Sequence, residues 1–306
     1  MTADQPFRAG FACLVGRPNT GKSTLTNALV GRKVAITSSR PQTTRHTIRG
    51  MVHRPDGQLV LVDTPGLHRP RTLLGSRLND LVRDTWTEVD AIGLCIPADE
   101  RIGPGDRFIA AELAPLAKRT PVLGLVTKTD AVAPQRVAEQ LAALSDLSGS
   151  AGVEFAELVP VSAVDGFQVG LVADLLLARM PAGPALYPDG ELTDEPEQVL
   201  VAELVREAAL EGVRDELPHS LAVVVEEMGP REGRQDMIDI YAHLFVERDS
   251  QKAIVIGKGG ARLKHVGSTA RRQIEALLGT SVYLDLHVKV AKDWQRDPRQ
   301  LRRLGF

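Results

Sequence analysis

Over the first 180 positions of the chain, apolar and polar residues occur in two different patterns. Short continuous apolar runs, such as residues 59–62, are typical of strands buried on both faces. Between these runs, apolar residues recur at helical spacing. The predicted strands are 9–15, 47–53, 58–63, 91–96, 122–127 and 157–161, and the predicted helices are 22–30, 73–89, 104–116, 134–144 and 169–180. This alternation predicts an α/β fold with a mostly parallel sheet and helices on both faces.

The pattern changes after Met180. Proline and glycine recur between 181 and 196 with little periodicity, which is typical of a linker. The elements predicted beyond it are a helix at 199–212, antiparallel strands at 221–227 and 236–246, a short helix from 250, a loop at 257–260, a helix to 278 and a strand at 281–290. We therefore predict a first domain at 1–180, a linker at 181–196 and a smaller α+β domain at 197–306.

Spacing also predicts which faces of the second domain are buried. One face of its long helix collects apolar residues that we assign to the core: Leu263, Val266, Ala270, Ile274 and Leu277. On the second strand, Met237, Tyr241 and Phe245 alternate with polar residues. We interpret these three as strand core and not as a platform for stacking bases.

Composition adds little until charge is mapped along the chain. The 306 residues are 43% hydrophobic and 25% charged, with a net charge of −2, as in ordinary globular proteins. No apolar run is long enough to span a membrane, and the N-terminus lacks the pattern of a signal peptide, so we expect a cytoplasmic protein. Cys13 and Cys95 lie in apolar runs and are expected to be inert core thiols.

The basic residues are concentrated near the C-terminus. Residues 252–306 carry a net charge of +8, which leaves −10 for the rest of the chain. This asymmetry indicates a face that binds nucleic acid, although a solvated basic helix would give the same count.

A phosphate-binding loop stands out near the N-terminus. Residues 16–23 match G-x-x-x-x-G-K-S between a predicted strand and a predicted helix, which is the context a P-loop requires. Glycines let the backbone N–H groups converge on an anion at the helix N-terminus. Lys22 would contact the β- and γ-phosphates, and the Ser23 hydroxyl would bind Mg²⁺. The nucleotide-binding residues predicted here are Gly16, Asn19, Thr20, Gly21, Lys22, Ser23 and Thr24.

Two further segments follow predicted strands, where ligand-binding loops of such sheets lie. In D-T-P-G, Asp63 is expected to hold Mg²⁺ through water and Gly66 to offer its N–H to the γ-phosphate. In T-K-T-D, which begins with Thr127 and Lys128, Asp130 can accept both guanine donors that adenine lacks. Ser162 and Ala163 would place a backbone N–H near guanine O6.

The polar segment 40–46 is expected to be a loop that becomes ordered on the triphosphate. Thr44 is the predicted Mg²⁺ ligand, and the sequence leaves Thr43 open as an alternative. Lys22, Thr44 and Gly66 are the predicted catalytic residues.

The second domain carries a G-x-x-G loop between its two predicted helices. Such a loop allows close approach of a nucleic-acid backbone and is the signature of KH domains. The predicted RNA-binding residues are Gly257, Lys258, Gly259, Gly260, Arg262, Lys264, Arg271 and Arg272.

Taken together, these motifs resemble the Era-like family of translation-factor-related GTPases. The resemblance is carried by residues 16–25, 41–46, 63–67 and 128–130, and by the tail at 292–306. It implies a P-loop GTPase domain followed by a type II KH domain, with GTP/GDP and Mg²⁺ as ligands. It also implies binding near the 3′ end of 16S rRNA, a role in assembly of the 30S subunit, and peripheral association with the inner face of the cell membrane.

Two positions bear on how such a site would work. Thr127 replaces the asparagine that usually begins the base-reading motif, so we expect weaker bracing of the P-loop but unchanged preference for guanine. Leu67 stands where many GTPases carry a water-orienting glutamine, so intrinsic hydrolysis is expected to be slow. In some relatives the asparagine matching Asn19 helps to hold K⁺ in the role of an arginine finger.

Two other functions fit parts of the sequence. One is an ATP-driven P-loop enzyme, which Asp130 and the Ser162-Ala163 pair argue against. The other is a constitutive RNA-binding protein with a vestigial nucleotide fold, which the intact Lys22, Ser23 and Asp63 argue against.

Overall fold

The computed structural model describes residues 6–38, 43–67, 72–213 and 217–306, except for the side chain of Gln235. These residues divide into two compact units. The first unit comprises the described residues within 1–35, 44–69 and 77–194, and the second comprises those within 36–43, 70–76 and 195–306. None of the helices in the described ranges is both long and apolar enough to cross a bilayer.

The first unit is built on a six-stranded sheet of order β2-β3-β1-β4-β5-β6. Only β2, paired with β3, runs antiparallel to its neighbour; the other pairs are parallel. The strands are β1 Arg8–Val15, β2 Ile48–Arg54, β3 Gly57–Asp63, β4 Ala91–Pro97, β5 Val122–Thr127 and β6 Phe155–Pro160. The helices are α1 Lys22–Val30, α2 Leu73–Glu88 (in this unit from Arg77), α3 Pro104–Leu113, α4 Pro134–Ala151 and α5 Val169–Leu177. The predicted mostly parallel α/β fold is therefore confirmed.

Helices cover both faces of this sheet because successive strand residues point to opposite sides. On β1, Cys13 and Val15 pack with residues of α2, α3 and α4 in one core cluster. Ala12 and Leu14 pack with residues of α1 and α5 in another. Burial raises the pKa of both thiols, that of Cys95 to about 12, so the prediction of inert core cysteines agrees with their burial.

Helix α4 is longer than its pattern predicts. It continues seven residues past the predicted end at Leu144 and stops at Gly152, whose φ of 70° suits glycine. The extension is polar and rich in small residues, and hydrophobic spacing alone does not detect such a segment as helix.

The second unit has the predicted α-β-β-α-α-β order with short additions. Its elements are α6 Glu197–Leu210, α7 Leu217–Ser220, β7 Ala222–Arg231, β8 Arg234–Val246, α8 Asp249–Ile256, α9 Ala261–Leu278, β9 Ser281–Val290 and α10 Pro298–Arg303. The sheet order is β7-β8-β9, with β7 antiparallel and β9 parallel to β8. Residues from the segment before β2 also belong here: Ile36 joins the core, and the Thr37 N–H donates to Glu207 Oε1 at 2.7 Å.

The core of the second unit confirms the predicted helix face and corrects the predicted strand face. Val266, Ala270 and Ile274 of α9 are buried in it. On β8, however, Ile240, Leu244 and Val246 lie in the core and Ile238 packs against it, whereas Tyr241 is 38% exposed. The prediction of strand core is therefore wrong for Tyr241 and confirmed for Phe245, which is 4% exposed, while Met237 is only partly buried. Both faces of β8 carry large side chains, so alternation alone could not say which face the helices cover.

A buried tryptophan anchors the C-terminal segment of the second unit. Trp294 is 0% exposed, and its Nε1 donates to the Ser220 carbonyl at 3.0 Å. Its ring stacks on Phe306, with ring centroids 5.6 Å apart. The residues after β9 are thereby fastened to α7.

Trp294→Ala should lower the stability of the second unit by roughly 3–5 kcal/mol, because it leaves a cavity and removes the buried hydrogen bond to the Ser220 carbonyl. Calorimetric melting, which separates transitions of different units, is the measurement. The control is Tyr283→Ala, since Tyr283 is a 42% exposed aromatic of the same unit. Equal melting shifts in the two variants would contradict an anchoring role for Trp294.

Candidate nucleotide and RNA sites

The loop between β1 and α1 curls around the N-terminus of the helix. Gly21 precedes α1 with φ of 87°, a left-handed conformation that glycine adopts at little cost. Gly16 has no room for a side chain, because a Cβ there would lie 2.7 Å from the Cys95 carbonyl oxygen. The helix N-terminus and its N–H groups are thus available to an anion.

The predicted phosphate ligand Lys22 is buried among backbone carbonyls. Only 7% of Lys22 is exposed, and its Nζ donates to the carbonyl oxygens of Gly16 at 3.1 Å and Arg17 at 2.8 Å. Burial lowers the pKa of Lys22, while the nearby Asp63 carboxylate acts in the opposite direction. The ammonium group therefore sits at the mouth of the loop with partners that phosphate oxygens can replace.

Three predicted metal ligands converge beside the lysine. Ser23 Oγ donates to Asp63 Oδ2 at 2.8 Å and lies 2.9 Å from Thr44 Oγ1, which is 3.3 Å from the same carboxylate oxygen. Burial raises the pKa of Asp63 to about 6, although hydrogen bonds from Ser23 and Thr44 and the Lys22 charge oppose this shift. The other oxygen, Oδ1, is buried without a hydrogen-bond partner. This oxygen-only donor set with an unused carboxylate oxygen fits Mg²⁺.

Thr44 contributes its hydroxyl to this cluster. The carbonyl of Thr43 accepts a hydrogen bond from Arg206 within the second unit. The predicted loop residues Arg40, Pro41 and Gln42 lie outside the described residues.

The D-T-P-G segment lies directly against the P-loop. A Cβ at Gly66 would come within 2.9 Å of the Pro18 nitrogen, so this position has no space for a side chain. Leu67 is 5% exposed and packs in one of the core clusters of the first unit. This position therefore supplies no polar side chain to orient water.

Four of the predicted base-reading residues, Thr127, Lys128, Asp130 and Ala163, line a cavity of about 220 Å³ beside the P-loop. Thr127 Oγ1 donates to the Thr20 carbonyl at 2.6 Å, which is the bracing expected of it. Ser162 Oγ donates to Asp130 Oδ1 at 2.7 Å and so orients that carboxylate. The cavity is lined by Gly21, Thr24, Leu25, Thr127, Lys128, Asp130, Ala131, Val161, Ala163 and Val164.

In the second unit, the G-x-x-G loop leaves a groove along α9 and β9. Gly257, Gly259 and Gly260 have φ of 73°, 59° and 76°, values that other residues adopt only with strain. The groove has a volume of about 420 Å³. Its walls are Gly260, Leu263, Lys264, Gly267, Ser268, Arg271, Tyr283, Leu284 and Leu286.

The predicted basic RNA ligands differ in their surroundings. Lys258 and Lys264 are exposed, Arg271 Nε lies 3.9 Å from Glu275, and Arg272 Nε donates to the Ser268 carbonyl at 3.4 Å. By contrast, Arg262 Nη2 donates to the carbonyls of Ala209 at 3.2 Å and Glu211 at 2.7 Å. Arg262 thus caps the end of α6.

Tyr283, an exposed aromatic at the groove, is not among the residues predicted from the sequence. Its alternation with Val282 and Leu284 along β9 was the signal that could have identified it.

Comparison with known proteins assigns a domain family to a large part of each unit. A family described as a 50S ribosome-binding GTPase matches residues 11–128, and a KH domain family matches residues 216–295. GTPase Era of Mycobacterium avium is 72% identical over 98% of this chain and 99% of its own length. GTPase Era of Streptomyces coelicolor is 69% identical over 99% of this chain and 96% of its own.

Solved structures give the same result. A point variant of Aquifex aeolicus Era bound to GDP·AlF₄⁻ superposes with a TM-score of 0.91 at 35% identity, covering 98% of this chain and 99% of that one. Era in complex with MgGDPNP and nucleotides 1506–1542 of 16S rRNA superposes with a TM-score of 0.92 at 36% identity, with the same coverage. With a GTPase domain, a KH domain and such identity along nearly its entire length, the chain belongs to the GTPase Era family.

Proposed function

We propose that this chain is a GTP-hydrolysing switch that binds 16S rRNA near its 3′ end and assists assembly of the 30S subunit. The observation that carries the proposal is the convergence of Lys22, Ser23, Thr44 and Asp63 beside a cavity bordered by Asp130. The second unit of the same chain adds a G-x-x-G groove with exposed lysines. A nucleotide site and an RNA groove are the two parts that such a switch requires.

The chain binds the phosphates through the helix N-terminus and Lys22. The lysine exchanges its bonds to the Gly16 and Arg17 carbonyls for phosphate oxygens, while backbone N–H groups of the loop donate to the same anion. Ser23, Thr44 and, through water, Asp63 would hold Mg²⁺, which when bound neutralises charge on the phosphates. Gly66 lies close enough to the P-loop to offer its N–H to the γ-phosphate.

Intrinsic hydrolysis is slow because the residue after Gly66 is Leu67, whose side chain cannot orient the attacking water. Leu67 is packed in the core, so its position contributes nothing to the attack. Asn19, at the outer turn of the P-loop with φ of 65°, is our proposed ligand for a K⁺ that offsets charge in the transition state. The resemblance to relatives with an asparagine at this position supports that assignment.

The proposed RNA site is the groove of the second unit. Lys258 and Lys264 supply phosphate contacts, and the glycines let the backbone approach. The structural relative that binds nucleotides 1506–1542 of 16S rRNA supports this assignment of the ligand. We further propose a cytoplasmic location with peripheral association at the inner face of the cell membrane, supported by family resemblance alone.

Asp130→Asn should change base preference from guanine to xanthine, because the new amide can donate to the xanthine C2 carbonyl. GTP affinity should fall by at least about a hundredfold, since two charge-assisted hydrogen bonds are lost or weakened. Competition of GTP, XTP and ATP against a fluorescent guanine nucleotide measures both effects. A variant that still prefers GTP as wild type does would exclude Asp130 as the base reader and reopen an ATP-driven function.

Replacing Lys258 and Lys264 together by alanine should weaken binding to RNA spanning nucleotides 1506–1542. The slope of log affinity against log salt should fall by about one to two units, at roughly 0.7–0.9 per lost phosphate contact. The matched control replaces Lys289 and Lys292 by alanine. Both lysines are also exposed, and their replacement removes the same amount of charge. Equal losses in the two variants would mean that only net charge matters and that RNA does not follow the G-x-x-G loop.

Replacing KCl by NaCl at constant ionic strength should lower GTP turnover of the wild-type protein. Asn19→Ala should be slow in both salts, because the proposed cation ligand is gone. Phosphate release under saturating GTP and Mg²⁺ is the measurement. Equal wild-type turnover in the two salts would overturn the K⁺ assignment.

A further inference from the structure

Arg17, the residue after the first P-loop glycine, connects the phosphate site to helix α3. Its carbonyl faces the site and accepts bonds from Lys22 Nζ at 2.8 Å and Thr20 Oγ1 at 3.1 Å. Its guanidinium extends the other way, donating from Nε to Asp106 Oδ1 at 2.7 Å and from Nη2 to Glu100 Oε2 at 2.8 Å. One residue therefore joins the lysine cradle to two carboxylates.

The start of α3 is shaped to receive this arginine. Asp106 is 1% exposed, and its second oxygen, Oδ2, accepts the Gly103 N–H at 2.8 Å. Gly105 has no room for a side chain, because a Cβ there would lie 2.7 Å from Arg17 Cδ. The pair is thus largely buried and geometrically fixed, unlike an exposed ion pair, which contributes little.

The segment that carries Glu100 is in turn hydrogen-bonded to side chains of α4. The Glu100 carbonyl accepts Gln140 Nε2 at 3.0 Å and Arg136 Nη2 at 3.1 Å, and Gln140 is 1% exposed. On the opposite side of the loop, Pro18 lies against Gly66. The outer turn of the P-loop is therefore enclosed between D-T-P-G and α3.

We propose that Asp106 is a positioning residue for phosphate binding, acting through Arg17 to hold the P-loop in its anion-binding conformation. The inference rests on the proposed nucleotide site. The turn it fixes includes Asn19, whose φ of 65° lies in the left-handed region. Without the Arg17–Asp106 ion pair, the loop N–H groups and Lys22 Nζ no longer converge on the phosphates. GDP and GTP are then both released faster.

The test compares Asp106→Asn, Arg17→Met and the double variant. The asparagine oxygen can still accept the Gly103 N–H, while its amide group opposes the Arg17 N–H, so the substitution breaks the pair and keeps the helix cap. Release of fluorescent GDP should be about tenfold faster or more in each single variant, the size expected for a hydrogen bond between charged groups. The double variant should be no faster than either, because both changes break one interaction.

Two further measurements separate positioning from general damage. The preference for GTP over ATP should stay at the wild-type value, because the Asp130 cavity is unchanged. The control is Glu112→Gln. Glu112 lies on α3, as Asp106 does, and its Oε2 is 3.3 Å from Arg83 Nε in an exposed ion pair. This variant should release GDP at the wild-type rate. If either single variant has a lower melting temperature than wild type, Arg17→Lys is tested as well. Lysine keeps the positive charge but cannot donate to both carboxylates as the guanidinium does. Arg17→Lys should release GDP at an intermediate rate with wild-type stability.

Several results would overturn the proposal. Wild-type release from Arg17→Met would reduce Asp106 to a helix cap, and additive effects in the double variant would show two independent roles. Wild-type release from Arg17→Lys would remove the requirement for the paired geometry. Failure of the wild-type protein to bind GDP would instead refute the proposed function.

Discussion

The hydrogen bond from Ser23 to the buried carboxylate of Asp63 is the contact on which the nucleotide site depends. It is possible because β1 and β3 are parallel neighbours whose register pairs Leu14 with Asp63, so the loop after one strand opens beside the end of the other. An isolated carboxylate would be costly to bury; here a lysine and two hydroxyls share its charge. The sheet register thus decides the geometry of the chemistry.

Much of this arrangement was readable from the sequence because it is local. The P-loop, D-T-P-G and T-K-T-D segments each combine a strand end with a short polar motif, and parallel strand ends meet at one edge of a sheet. The choice between Thr43 and Thr44 was not readable, because neighbouring loop residues differ only in backbone direction. In the structure, the Thr44 hydroxyl lies 2.9 Å from Ser23 Oγ.

Other features depend on partners far away in the chain. Arg17 and Asp106 are 89 positions apart, so no spacing rule connects the P-loop to the cap of α3. Likewise, Arg262 belongs by sequence to a basic cluster, yet its guanidinium donates to backbone carbonyls at the C-terminal end of α6. The covered face of β8 was also decided by helices elsewhere in the unit. In each case the local sequence is compatible with several roles for the side chain, and packing against distant parts of the chain determines which role it has.

The two cysteines have a practical consequence. Both are buried and free, and burial raises their pKa values, so little reactive thiolate is present in the native protein. The sequence contains no other cysteine. A single cysteine introduced on either unit would therefore be the site that maleimide dyes or spin labels modify selectively. With two such cysteines introduced, distances between chosen surface positions could be measured without prior removal of the native thiols.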